Sequence, residues 1–182
     1  MRQPSISGVM ALIASVLSIA VAVPRPALGG QSTGASGANT LSFQDRLEIQ
    51  DLFARYSQAL DMGNGEELAK NIFAPDGIFH DPSLCLVGSA ELRAGLANHP
   101  SRVRTSQHWP TNIVITEASG NRAKTHSYVI VFNAKGTMTM GTYHDTLVKS
   151  GGRWLIEHRQ VWRPGAVKRD PRCPADLDAL EP

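Results

Sequence analysis

Asp61 and His108 are the two residues of this chain whose types could carry acid–base chemistry together. Imidazole titrates close enough to neutral pH to take a carbon-bound proton, the step that eliminating water or halide across a carbon–carbon bond requires. A carboxylate hydrogen-bonded to one ring nitrogen would fix the tautomer and stabilise the imidazolium as it forms. Tyr56 and His126 could then donate to a developing oxyanion or to the leaving group. That chemistry needs no metal and no organic cofactor. Each residue also has a plainer explanation. Taken singly, His108 fits a satisfied core histidine, Asp61 a surface carboxylate and Tyr56 an aromatic packed in the core with its hydroxyl satisfied; His126 fits either role equally. His80, His99, His144 and His158 show no metal-ligand spacing, so no metal site is expected.

The element that must position Asp61 and Tyr56 runs from Ser42 to Asp61, SFQDRLEIQDLFARYSQALD. Ile49, Leu52, Phe53, Tyr56 and Leu60 recur at helical spacing, which lays one apolar stripe along a long amphipathic helix. Ser42 with Asp45 three residues on reads as a capping box. Met62-Gly63-Asn64-Gly65 reads as a helix stop, because glycine enters the left-handed conformation without penalty. Asp61 therefore falls in the last turn, where the helix dipole disfavours negative charge, which is an odd place for a merely structural carboxylate.

Around that helix the chain divides into four parts. Residues 1–29 read as an export signal: Arg2 gives a positive start, Val9 to Val23 is apolar apart from serines, and Ala27-Leu28-Gly29 is a small-x-small cleavage site. The apolar run is shorter than the ~20 residues that span a bilayer, so no stable membrane insertion is expected once the signal is cleaved, and the mature protein is expected in the periplasm or outside the cell. Residues 30–41 form a Gly/Ser/Ala/Thr linker, residues 42–164 one domain, and residues 165–182 a Pro-rich tail. Of 18 basic and 16 acidic residues, the signal removes Arg2 and Arg25, leaving 16 against 16. Nucleic-acid binding, which shows as a clustered basic face, is not expected of such a chain. The cysteines are Cys85 and Cys173; in an exported protein they could pair and tie the tail to the loop after the first strand, or remain two free thiols.

Beyond the first helix, Glu66–Phe73 reads as a short helix, Ala74–Gly77 as a turn, Gly77–His80 as a strand and Ser89–Ala97 as a third helix. The period then changes to two over His108–Thr116, Ala123–Asn133, Met138–Lys149 and Trp154–Arg163. The expected fold class is α+β, a curved antiparallel sheet with about three helices packed on one face. Period-two parity places His108, Asn112 and Val114 on one face of their strand and His126, Tyr128, Ile130 and Phe132 on one face of the next. Turned inward on a curved sheet, those faces would make a mostly apolar pocket with a few polar groups aimed into it. Tyr143 would line that pocket or pack the sheet. Met138 and Met140 are expected in the core, and Trp109, Trp154 and Trp162 in sheet packing or, less simply, at an oligomer interface.

The order of elements, with LDMGNGEELAKNIFAPDGIFHD, QHWPTN and GTYHDTLVKSGGRWLIEHR, resembles the SnoaL-like branch of the nuclear-transport-factor-2-like (NTF2-like) superfamily over Ser42 to Pro164. The resemblance implies a cone of curved sheet wrapped by helices and a homodimer or homotrimer. It is similar in particular to the scytalone dehydratase, hexachlorocyclohexane dehydrochlorinase and bile-acid dehydratase group, whose Asp at the end of the first helix and His at a strand start match Asp61 and His108. Tyr56 matches the tyrosine that some of these dehydratases use, and His126 falls near a second histidine. Counterparts to the late Ser and Asn of the first enzyme, and to the arginine of the second, are not evident, so neither substrate carries over. The implied site is catalytic His108, Asp61 and Tyr56, with His126, Asn112, Tyr128, Phe132 and Tyr143 around a small hydrophobic ligand. Three functions fit: a cofactor-independent, dehydratase-like lyase on a small hydroxylated or cyclic compound; an isomerase or polyketide cyclase using the same base; or a pocket that binds a small ligand without turning it over.

Overall fold

The computed structural model describes residues 41–97, 105–164 and 172–173, all within one compact unit, Ser36–Pro182. The stretch expected to be an export signal, nearly all of the expected linker, His99 and most of the expected tail lie outside the described residues.

Helix α1 spans Phe43–Met62. Both halves of its capping box are made: Ser42 Oγ accepts from the Asp45 N–H at 3.0 Å, and Asp45 Oδ2 accepts from the Ser42 N–H at 3.1 Å. Gly63 closes it in the left-handed conformation, φ 68°. Ile49, Leu52, Phe53, Tyr56 and Leu60 are buried, as the helical spacing requires. The second helix is shorter and less regular than its sequence suggests. A single turn, α2 (Gly65–Glu67), capped by the Asn64 side chain, runs into a π turn over Leu68–Ile72.

Strand β1 (Phe73–Asp81) begins at once, and the expected turn at Ala74–Gly77 lies inside it. Pairing with its neighbour slips between Phe73 and Ile78, so the turn-forming residues are absorbed as a bulge. A short β2 (Leu84–Val87), which the sequence does not announce, pairs back on β1 before α3 (Gly88–Ala97). Then come β3 (Ser106–Ser119), β4 (Arg122–Asn133), β5 (Met138–Ser150) and β6 (Arg153–Trp162). The six strands form one sheet in the order β2-β1-β6-β5-β4-β3. Three helices on a curved six-stranded sheet make an α+β cone, as expected.

The sheet is mixed where an antiparallel one was expected, because β1 and β6 run parallel. No hairpin joins them; the chain reaches β6 only after α3 and four further strands, so their relative direction is free of hairpin geometry. The inner sheet face, carrying Val129, Tyr143, Leu147, Ile156 and Val161, packs on the apolar stripe of α1. Met138 and Met140, expected in the core, are more than half exposed on the outer face, as is Trp109. Trp154 is buried, and its Nε1 donates to Asp45 Oδ1 at 2.8 Å.

Asp45 thus does more than cap. The same oxygen also accepts from Lys149 Nζ at 2.6 Å, tying the start of α1 to β5 and β6. The lysine bond, followed by those from Ser42 and Trp154, holds the Asp45 carboxyl well below the usual carboxylate range. Cys85 and Cys173 form a disulfide with Cα atoms 6.0 Å apart, which settles the alternative of free thiols and ties the tail to β2.

Asp45→Ala is expected to cost about 1–2 kcal/mol near neutral pH. The native carboxyl is depressed, so its contribution is complete above the ordinary value of 3.8 and fades as the pH falls toward the native value. Urea denaturation of both proteins near pH 7 and near pH 3 checks this, and the gap must narrow in acid. Replacing both cysteines by serine is expected to cost about 2–5 kcal/mol, with reductant lowering the midpoint of the wild type alone.

Candidate active site

The last turn of α1 meets the start of β3 through a single carboxylate. Asp61 Oδ2 accepts the backbone N–H of His108 at 3.1 Å, and Oδ1 lies 2.6 Å from His108 Nδ1. A carboxylate can only accept, so Nδ1 carries the proton. Nε2 is left as the ring nitrogen free to meet a ligand. His108 is buried and Asp61 about one-fifth exposed.

His108 lines a cavity of about 240 Å³. Leu60, Phe79, Val129, Val131 and Val161 give the cavity apolar lining; Ser106, Asn133 and Thr139 add polar groups. Tyr56 and Tyr143 both line it, their rings edge-to-face with centroids 6.0 Å apart. Arg163 and Asp81 line it as an ion pair, and Asp81 also accepts from the Ser83 N–H and hydroxyl.

Beneath the tyrosines lies a second charged pair. Arg159 Nε donates to Asp145 Oδ1 at 2.7 Å and Nη2 to Oδ2 at 2.9 Å, with both side chains fully buried. Thr125 Oγ1 donates to the same carboxylate at 3.4 Å. The arginine is held above its ordinary value: burial alone would lower it, but the charge and hydrogen bonds of Asp145 outweigh that. Among the described residues no three His, Cys, Asp or Glu side chains gather as a metal-ligand set.

The structure brings together Asp61, His108, Tyr56 and Tyr143. It does not bring in the other four residues expected around the ligand. On β3, Asn112 adopts a left-handed backbone conformation, φ 52°, and pairing slips between Thr111 and Val114. This bulge inverts the parity, so Ile113 and Ile115 turn toward the core while Asn112 and Val114 are exposed. On β4 the inward face is the opposite one, with Thr125, Ser127 and Val129 buried. The Thr125 hydroxyl on this face is the one that partners Asp145. His126, Tyr128 and Phe132 therefore face outward. His126 lies against His144, ring centroids 4.8 Å apart, and the His144 ring is held below its ordinary value by burial and then by His126. Phe132 stacks on Trp109 and borders a shallow groove on the other side of Asp61.

Four charged residues are not anticipated by the sequence analysis: Arg163 and Asp81, which line the cavity, and Arg159 and Asp145, buried beneath the tyrosines. The usable signal was parity. Arg159 shares the face of Val161 on β6, Arg163 keeps the same parity just past its end, and Asp81 follows Phe79 by two along β1.

A family model described as a SnoaL-like domain matches residues 42–160. The chain belongs to the SnoaL-like domain family. Solved structures with the same SnoaL-like fold include a cystatin-fold protein of unknown function from Nostoc punctiforme, 27% identical, covering 74% of this chain and 97% of its own, with a TM-score of 0.61. An Asp-to-Asn variant of a function-unknown protein from Mycobacterium tuberculosis is 29% identical, covering 74% of this chain and 80% of its own, TM-score 0.62. A provisionally assigned scytalone dehydratase from Novosphingobium aromaticivorans, 24% identical, shares the fold over 72% of this chain and 96% of its own, TM-score 0.58. No curated protein matches the chain.

Arg159→Met alone leaves Asp145 as a buried unpaired charge and is expected to cost about 3–5 kcal/mol. Combining it with Asp145→Asn should recover most of that loss, measured as denaturation midpoints of the two variants and the wild type.

Proposed function

We propose that this SnoaL-like protein is a cofactor-independent lyase that removes water from a small, largely apolar cyclic compound bearing a hydroxyl β to a carbonyl. The observation that carries the reading is the 2.6 Å contact between Asp61 and His108 Nδ1 at the wall of a cavity lined by both apolar and polar side chains. In the proposed reaction His108 Nε2 takes the proton from the carbon next to the carbonyl. The electron pair of that C–H bond becomes the new C–C π bond of an enolate, whose oxygen accepts hydrogen bonds from the tyrosine hydroxyls. Collapse of the enolate restores the carbonyl, forms the carbon–carbon double bond and breaks the C–O bond, and the imidazolium returns its proton so that water leaves. Asp61 keeps Nδ1 protonated and balances the charge that His108 gains.

The cavity, somewhat smaller than the usual small-molecule site, supports a ligand of about one or two rings. The Cys85–Cys173 disulfide supports an exported protein, since such bonds persist in oxidising compartments. Isomerisation or cyclisation would use the same base without expelling a leaving group, and product mass distinguishes the two.

Hydroxylated cyclic ketones incubated with the protein are expected to lose the mass of one water. His108→Ala should slow that loss by roughly 10²–10⁴-fold, the usual contribution of a positioned base, with little change in ligand affinity. Retained turnover in His108→Ala would sink the assignment; a product of unchanged mass would replace elimination by isomerisation.

A further inference from the structure

Arg159 is an expensive residue to place where it lies. A buried arginine–carboxylate pair recovers little more than its own desolvation, and an apolar pair of similar volume is often as stable. What an apolar pair cannot do is set a positive charge among aromatic rings. The guanidinium carbon sits 4.0 Å from the ring centroid of Tyr56, 4.1 Å from that of Tyr143 and 4.9 Å from that of Phe53. Asp145 occupies the Nε and Nη2 edge. Nη1 is buried with no hydrogen-bond partner among the described residues, so the aromatic faces are what it has in place of one. One cation is thereby shared by two tyrosines, and both line the cavity beside His108.

We infer that Arg159 is a positioning residue that strengthens Tyr56 and Tyr143 as proton donors toward the cavity. A phenol that gives up or shares its proton gains electron density in the ring, and a cation over the ring face stabilises that state more than the neutral one. The effect is mutual: ionised Tyr56 and Tyr143 both favour the charged arginine, behind the larger influence of Asp145, so the arginine favours their ionisation in return. Asp145 holds the guanidinium in register and partly offsets its charge. The inference rests on the proposed lyase reading only for the use of the two hydroxyls, which is to hold an enolate oxygen.

The chain has three tyrosines, so the test needs neither substrate nor turnover. Protein labelled with ¹³C at the tyrosine ζ carbon is titrated by NMR from neutral pH to the onset of alkaline unfolding. Tyr56→Phe and Tyr143→Phe assign the resonances, and half-exposed Tyr128 on the outer face serves as the internal reference. In Arg159→Met/Asp145→Asn, which removes both charges, the Tyr56 and Tyr143 transitions are expected about one pH unit or more higher than in the wild type, a tenfold loss of acidity, with Tyr128 unmoved. Should that variant not fold, Arg159→Lys keeps a cation paired with Asp145 but withdraws the planar guanidinium from the ring faces, so both transitions should again move to higher pH. Unmoved transitions, including the absence of any transition in both proteins, overturn the inference. An inactive protein with the expected shifts would instead count against the lyase reading and leave the role of Arg159 standing.

Discussion

The arrangement depends on one contact, the two-oxygen grip of Asp61 on His108. A carboxylate in the last turn of a helix opposes the helix dipole, so this one needs compensation. It receives two donors from a single residue of another element: a backbone N–H, which fixes where β3 starts, and a ring N–H, which fixes how the imidazole is turned. The same contact that joins helix to sheet therefore also selects the tautomer. The other end of α1 is fixed as firmly, because Asp45 accepts from Ser42, Lys149 and Trp154. With both ends held by carboxylates, the helix has little freedom to slide or rotate on the sheet, and Tyr56 is placed over the cavity as a consequence.

The second organising feature is the distribution of charge below the cavity. Two ion pairs approach it with different exposure. Asp81–Arg163 lies at the wall with the arginine side chain partly exposed, while Asp145–Arg159 is sealed under the tyrosines. An exposed arginine is screened and free to exchange partners with an incoming anion, whereas a sealed one is fixed and acts through what it touches. That difference fits the role inferred for Arg159, which acts through the rings it touches.

Much of this was legible in the sequence, and the part that was not has identifiable causes. The capping box, the glycine stop and the apolar stripe of α1 are local signals and they place Asp61 and Tyr56 correctly. His108 follows from the start of a β-branched run. The inward faces of β3 and β4 did not follow, because parity is only as good as the assumption that no residue is inserted. The bulge at Asn112 inverts one strand. On the other, buried Thr125 and Ser127 look like a solvent face until Asp145 is known to lie against Thr125 and Tyr143 opposite Ser127. The parallel β1–β6 pairing has no local signature at all, being a property of where the chain returns. Arg159 and Arg163 have no local signal of their own, because arginine in or beside a strand reads as an exposed side chain, and only the parity they share with Val161 points inward.

The most direct test of the account is the protonation state of the His108 ring. Two-dimensional ¹⁵N–¹H correlation spectra of histidine-labelled protein near neutral pH, assigned by the signal lost in His108→Ala, report which nitrogen carries the proton. The account predicts that His108 is protonated at Nδ1 with Nε2 bare, and that its Nδ1–H signal moves upfield or exchanges away in Asp61→Asn. A ring protonated at Nε2 alone, or spectra identical in the wild type and Asp61→Asn, would contradict it.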